Sequence, residues 1–347
     1  MSINWGDGSD PDGDTVVGET FVVGQSESTG EISLSLAGLH TYTAFGAHTI
    51  TATVTDSYGA SSSALPLGSG PVTVGATASV TYDPVWGITL DIRGTNLADV
   101  ITVNQTGGGS QIIVHTNSGP DTVFSAGPYT IVSPTGPNHT NEPHTGNIAK
   151  IRIHLCGGDD HATVSSGVIP GVIIFGEGGN DHINAGKADA IVLGGDGDDD
   201  LVGGAGLDLQ IGGNGADRIV GGAGDDILIA GYTSYDKDAD GNDAVNERAL
   251  KAIMSVWNTN NSYVNRVAAV QDTNAPYNLL VDTATTGSGN RTQTVFSDND
   301  EDKLTGSAGY DLFFANLVAD DDVATVLDKI TDLNSKLHET ALDIDWS

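Results

Sequence analysis

The sequence predicts a mainly β chain. Its middle reads as a parallel β-solenoid with ion-binding turns. An incomplete antiparallel β-sandwich precedes it, and a small α-containing C-terminal cap follows. Three observations carry this. Residues 176–229 divide into six consecutive nines with no insertion. A large side chain recurs at the eighth place of each nine, with glycines filling the turn places between. Acids outnumber bases by 46 to 13, and in this segment they fall at a fixed place beside the glycines.

The eighth places are Ile183, Val192, Leu201, Gln210, Ile219 and Leu228. A three-residue strand alternates its side chains, so one inward residue per nine is enough for a core. Glycine permits the tight reversal between strands. The turn carbonyls and the sixth-place aspartate then offer oxygen ligands in flexible number, which suits calcium. Two nines make one coil of 18 residues, so every second unit stacks on the same edge at about 4.8 Å. One edge aligns Asp181, Asp199 and Asp217; the other aligns Ala190, Asp208 and Asp226. A vacancy is expected at Ala190, with Asp189 one place early. Gln210 either finds a partner or lets its strand slip by one residue.

Two more units follow a gap: 297–305 with Asp302 and Leu304, and 306–314 with Asp311 and Phe313. The segments 98–103 and 159–164 look like versions of one unit, which adds Asp160 to the expected ligands. The nines fit the nonapeptide G-G-x-G-x-D-x-U-x, where U is a large apolar residue. This segment resembles the RTX calcium-binding β-roll family. The resemblance implies several Ca2+ ions, folding on meeting external calcium, and a C-terminal type I secretion signal in the last 50 or so residues.

A second calcium motif spans 236–247. Asp236, Asp238 and Asp240 precede Gly241, and Glu247 closes the loop at EF-hand spacing. The three aspartates would ligate by side chain, Asn242 by its carbonyl, and Glu247 in bidentate fashion. Two departures weigh against it: no entering helix precedes, and Asp243 stands where an aliphatic residue is usual.

Residues 1–75 alternate like an antiparallel β domain, with Ile50, Ala52 and Val54 two apart. Residues 65–75 read as a linker. Asn4-Trp5-Gly6-Asp7-Gly8, His40-Thr41-Tyr42 and the run from His48 to Asp56 followed by Gly59 resemble a PKD-type immunoglobulin-like repeat. The strands that normally precede its Trp-Gly-Asp-Gly are missing, so the chain is expected to be a fragment of a larger protein. Asp7, Asp10, Asp12 and Asp14 read as a solvated turn.

The remaining boundaries follow. Residues 76–231 are expected to form a right-handed parallel solenoid whose early coils are irregular. Val245, Ala249, Ile253 and Trp257 predict a helix over about 244–257 within a 232–296 segment, and a shorter one over 262–271. In 297–347, Val323, Leu327, Ile330, Leu333 and Leu337 predict a C-terminal helix begun by Asp320–Asp322.

The net charge of −33 excludes a nucleic-acid partner and disfavours an anionic membrane surface. Residues 155–230 hold 13 acids, but 1–154 hold 13 and 231–347 hold 20, so repeat-bound calcium is not the whole explanation. Cys156 is the only cysteine, so no intrachain disulfide forms. No run of 18 apolar residues predicts a membrane span, and residues 1–7 do not read as a signal peptide.

No nucleophile elbow, H-E-x-x-H or P-loop occurs, so no catalysis is expected. His139 and His144 read as solvated loop residues, His161 and His182 as stacked surface histidines, and Cys156 as a small filler. The expectation is a calcium-dependent extracellular structural or adhesion protein of bacterial surface, matrix or surface-layer type. Its partners would be copies of itself or surface components. The alternative is a non-catalytic C-terminal folding and secretion module of a larger secreted hydrolase. Ice binding is rejected, because the third places (Gly178, Lys187, Asp196, Ala205, Asn214, Ala223) form no uniform ladder.

Overall fold

The structure is a computed structural model. It describes residues 76–106, 108–132, 143–236, 243–281, 293–318, 326–333 and 339–344, together with seven backbone strands within 1–75. Two compact units divide at Gly75.

In the first unit all described pairs are antiparallel. Ser2–Asn4 pairs with Thr51–Thr53, which also pairs with Leu65–Pro66. Thr20–Gln25 pairs with Ile32–Ala37, and Gly46–His48 with Val72–Val74. The linker expected at 65–75 is therefore corrected. Two short strands in it complete ladders begun earlier in the unit. The turn of Asp7, Asp10, Asp12 and Asp14 and the Trp5–Gly8 motif lie outside the described residues.

The second unit is built on two nine-stranded sheets, mostly parallel, beside two antiparallel pairs, Tyr129–Val132 with Pro143–Gly146 and Tyr232–Thr233 with Val295–Phe296. The first sheet runs from Val100–Thr106 through His161–Val164, His182–Asn184, Asp200–Gly204, Arg218–Ala223 and Lys303–Ala308 to Lys329–Ile330. The second runs from Gly87–Arg93 through Lys150–His154, Gly171–Gly178, Ala190–Asp196, Leu209–Asn214, Ile227–Ile229 and Leu312–Ala315 to Thr340–Asp343. Within the nines, strands pair with the strand 18 residues on: His182 with Asp200, Asp200 with Arg218, and Ile191 with Leu209. Residues 98–103 and 159–164 are versions of one unit, as Val100 pairs with His161 and Val103 with Val164. The early region departs from a plain solenoid. Thr77–Asp83 adds an antiparallel edge to the second sheet, and Gln111–Thr116 and Gly119–Ser125 add two to the first.

The core lies between the sheets. Ile101, Ala162, Ile183, Leu201, Ile219 and Leu304 from one sheet, and Leu90, Ile151, Val172, Val192 and Leu228 from the other, are fully buried. Each of the valines, leucines and isoleucines contributes about 1.5–3 kcal/mol on leaving water. The strand carrying Gln210 does not slip. Gln210 sits between Val192 and Leu228 in register, fully buried.

Residues 232–296 leave the solenoid and return in register, Arg218 pairing with Lys303 across them. They carry helices α1 (Asp243–Trp257) and α2 (Tyr263–Val270). Their Leu250, Ile253, Trp257 and Val270 join one buried apolar cluster with Ile191, Leu209, Ile211 and Ile227 of the second sheet. The helix expected at the C-terminus is corrected: Lys329–Ile330 and Thr340–Asp343 are strands that continue the two ladders. Parallel pairing with Lys303–Leu304 and Leu312–Ala315 decides their conformation, and Leu327 and Leu333 stand exposed. Val323 and Leu337 lie outside the described residues. Among the described residues, no helix is long and apolar enough to cross a membrane.

Candidate functional site

The sixth-place aspartates line up inside the turns as two ladders. On the first edge the backbone N–H of Asp99 donates to Asp160 Oδ1 at 2.6 Å, and Asp160 N–H to Asp181 Oδ1 at 2.8 Å. The series continues from Asp181 to Asp199, Asp199 to Asp217, Asp217 to Asp302 and Asp302 to Asp328, at 2.7 to 3.0 Å. On the second edge Ala190 N–H donates to Asp208, Asp208 to Asp226 and Asp226 to Asp311, at 2.8 to 3.0 Å. The insertion breaks neither series.

In eight of these aspartates Oδ1 has a partner and Oδ2 has none; at the ends of the first series, Asp99 Oδ2 accepts from Thr95 and Asp328 Oδ2 from Asn316 N–H. Oδ2 of Asp160, Asp181, Asp199, Asp208, Asp217, Asp226, Asp302 and Asp311 is buried without a hydrogen bond, as is Oδ1 of Asp99. The residues themselves are at most 3% exposed. Leaving so many oxygens unpaired is unusual, because a buried polar group without a partner costs about 1–3 kcal/mol.

Six of the eight orphan Oδ2 atoms share a setting with the first glycine of the nine; Asp160 and Asp302 have Leu155 and Ser297 at that place. A Cβ added at Gly176 would meet Asp181 Oδ2 and the Gly194 carbonyl oxygen. The same pairing of a carboxylate oxygen with the next coil's carbonyl surrounds Gly194 (Asp199, Gly212), Gly203 (Asp208, Gly221) and Gly212 (Asp217, Ala230). Glycine there leaves a space bordered by two oxygens. Gly195 has φ +115° and Gly213 +117°, a region that penalises a side chain. Cys156, Glu177 and Ser307 adopt positive φ without being glycine.

Burial raises the carboxyl groups far above the usual carboxylate range. Asp160 is pushed up to about 8, Asp181, Asp199, Asp208 and Asp311 to about 7, and Asp217 and Asp226 to about 9. Burial and neighbouring Asp328 also raise Asp302. Hydrogen bonds from backbone N–H groups oppose the rise without cancelling it. Such a ladder takes up either protons or a cation. The donor set is oxygen only, one carboxylate and main-chain carbonyls per turn, and that chemistry fits a hard divalent ion. Among the described residues no three His, Cys, Asp or Glu side chains gather around a point. A turn that draws part of its ligand set from carbonyls forms no such group.

The structure brings together Asp160, Asp181, Asp199, Asp217 and Asp302 on one edge, and Asp208, Asp226 and Asp311 on the other. Ala190 occupies its ladder place without a carboxylate. Asp189 points elsewhere, accepting from Leu207 N–H at 3.0 Å and from the Asn258 amide at 3.1 Å. Two ladder members escaped sequence reasoning. Asp99 sits in the unit matched to Asp160. Asp328-Lys329-Ile330-Thr331 parallels Asp302-Lys303-Leu304-Thr305 residue for residue.

The EF-hand reading fares differently. Asp238, Asp240 and Asn242 lie outside the described residues. Asp236 Oδ1 caps its own turn, accepting from Thr233 N–H and Oγ1 at 2.7 and 2.9 Å. Glu247 is corrected. Its carboxylate is 2% exposed and pairs with Arg152 at 2.8 Å, while the Trp86 indole N–H also donates to it. Arg152 pairs as well with Asp83 and Asp91, so this ion cluster takes up the acid expected to close the loop.

Of the histidines, His161 and His182 stack with ring centres 4.7 Å apart. His144 stacks on Tyr82, and His139 lies outside the described residues. Cys156 is half-buried beside Arg93. No family model, curated protein or solved structure matches the chain.

Proposed function

We propose that the turns of the solenoid bind Ca2+, and that the protein is a calcium-stiffened extracellular structural or adhesion element. One observation carries the reading: eight sixth-place aspartates each bury an Oδ2 with no hydrogen-bond partner. Asp160, Asp181, Asp199, Asp217 and Asp302 would hold ions along one edge, and Asp208, Asp226 and Asp311 along the other. Calcium, when bound, supplies the positive charge that lets these carboxyl groups ionise inside the fold. The chain's own residues do the rest. Each Oδ1 fixes the preceding coil through its backbone N–H, and at six of the eight turns a glycine keeps the space beside Oδ2 open. Because the ladder exists only when coils are stacked, ligand binding and stacking are linked. A site occupied at a hundred times its Kd adds about 2.7 kcal/mol to folding. A chain passing from low to high calcium would gain that at each independent site.

Circular dichroism of EDTA-treated protein, titrated with calcium, tests this. The expected result is a gain of strand signal or a rise in Tm that magnesium does not reproduce at equal concentration. An Asp199→Asn, Asp208→Asn double variant should bind fewer ions by isothermal titration calorimetry. A melting temperature indifferent to calcium would overturn the proposal.

A further inference from the structure

A cleft of about 180 Å³ lies under helix α1 against the second sheet, beside Ala190, the place in the second ladder that has no carboxylate. Trp86, Ile191 and Met254 form apolar walls, and Lys150, Lys251 and Asp189 bring charge to it. Lys150 is 8% exposed, although lysine is rarely buried without a partner. Its ammonium lies 4.7 Å from the centre of the Trp86 ring, and that of Lys251 lies 4.8 Å from the same ring. Among the described residues no salt bridge reaches either lysine.

Two cations on one indole repel each other. Burial pushes Lys150 down to about 8, Lys251 pushes it the same way, and Asp189 and Glu247 resist. Glu247 is already paired with Arg152, and both Asp189 oxygens accept hydrogen bonds. Lys251 donates to the Val85 carbonyl, which leaves its charge unmatched. With Lys150, Lys251 and Asp189 counted together, the cleft carries one net positive charge. That balances one negative charge and leaves a dianionic phosphate in excess. The volume is below the several hundred Å³ of a drug-sized site, so the guest has only a few carbons.

We propose that this cleft binds a small organic monocarboxylate, its carboxylate between the Lys150 and Lys251 ammonium groups and its short apolar body against Trp86 and Met254. The carboxylate is that of a short aliphatic acid, and butyrate is the probe. Intrinsic tryptophan fluorescence of the full chain, in calcium-containing buffer, reads the binding. Trp86→Phe assigns the signal. Butyrate should give a saturable change and butylammonium none. Lys150→Met should weaken binding about tenfold or more, as loss of a charge-assisted contact does. If circular dichroism shows that variant unfolded, Lys251→Met carries the test with the same expected direction. No saturable response, an equal response to butylammonium, or a response unchanged in the folded lysine variant would overturn the proposal.

Discussion

Eight ladder aspartates split their two oxygens between two tasks, one holding the neighbouring coil and one left bare. Where a nine abandons the second task it changes more than the acid. In the unit 185–193 the sixth place is Ala190, and the first place is Ala185 rather than glycine, both buried. A side chain at the first place is not confined to the unit that lacks the acid, since buried Ser297 precedes Asp302 in the same way. Gln210 is a different departure. It occupies an inward place, fully buried, and neither its Oε1 nor its Nε2 has a hydrogen-bond partner. Its register neighbours are Val192 and Leu228, so an apolar side chain of similar volume suits the place better. Gln210→Leu should raise stability by about 1–3 kcal/mol, the desolvation cost of the stranded amide. Urea denaturation with calcium held constant measures it. A Leu variant less stable than the parent would show that the amide has a partner after all.

At the scale of elements, the two sheets differ on their outer faces. In the first sheet the residues flanking the inward one are His182 and Asn184, Asp200 and Val202, Arg218 and Val220, all at least partly exposed. In the second they are Ile191 and Leu193, Leu209 and Ile211, Ile227 and Ile229, all buried. This contrast between alternate nines is written in the sequence and marks which face the helices cover. Trp257 anchors the cover. It is fully buried, its indole N–H donates to the Asp225 carbonyl, and the Arg266 guanidinium lies 4.6 Å from its ring centre. Trp257→Ala should cost about 3–5 kcal/mol and loosen α1 before the ladders open. Hydrogen exchange read element by element would detect this, with α1 amides losing protection ahead of those at Leu201 and Ile219. Helices α1 and α2 were legible because their apolar residues recur at a local period. The C-terminal strands were not. Lys329–Ile330 is two residues long, too short to display alternation, and its partner Lys303–Leu304 lies across a loop. The apolar stripe through Leu327, Ile330 and Leu333 imitated a helix, because only Ile330 of the three meets the core. Glu247 misled for a related reason. Loop spacing identified a ligand, whereas the residue's partner, Arg152, lies 95 positions away.

For the whole molecule, the net charge of −33 becomes a statement about pH. In the protein without calcium, burial holds Asp181, Asp199, Asp208 and Asp311 at about 7, Asp160 at about 8, and Asp217 and Asp226 at about 9. The unfolded chain ionises its aspartates near 3.9. Between these limits the folded state binds more protons than the unfolded one, so stability falls as pH rises. The contribution is complete below about pH 4 and is lost as pH climbs through 7 to 9. Lys150 acts in the opposite sense, with its folded value lowered to about 8, but it is one group and matters mainly above that pH. Each aspartate held one unit high loses about 1.4 kcal/mol of stabilisation on ionising. At about 2–4 °C per kcal/mol, several such groups should lower the melting temperature of EDTA-treated protein by about 10 °C or more between pH 5 and pH 8. Saturating calcium should flatten that slope, because carboxylates neutralised by the ion no longer need the proton. Calorimetric scans at matched ionic strength, with and without calcium, give both curves. A calcium-free curve that is flat or rises over this range would mean that the ladder carboxyl groups ionise inside the fold without help, and would remove the reason for a cation at the turns.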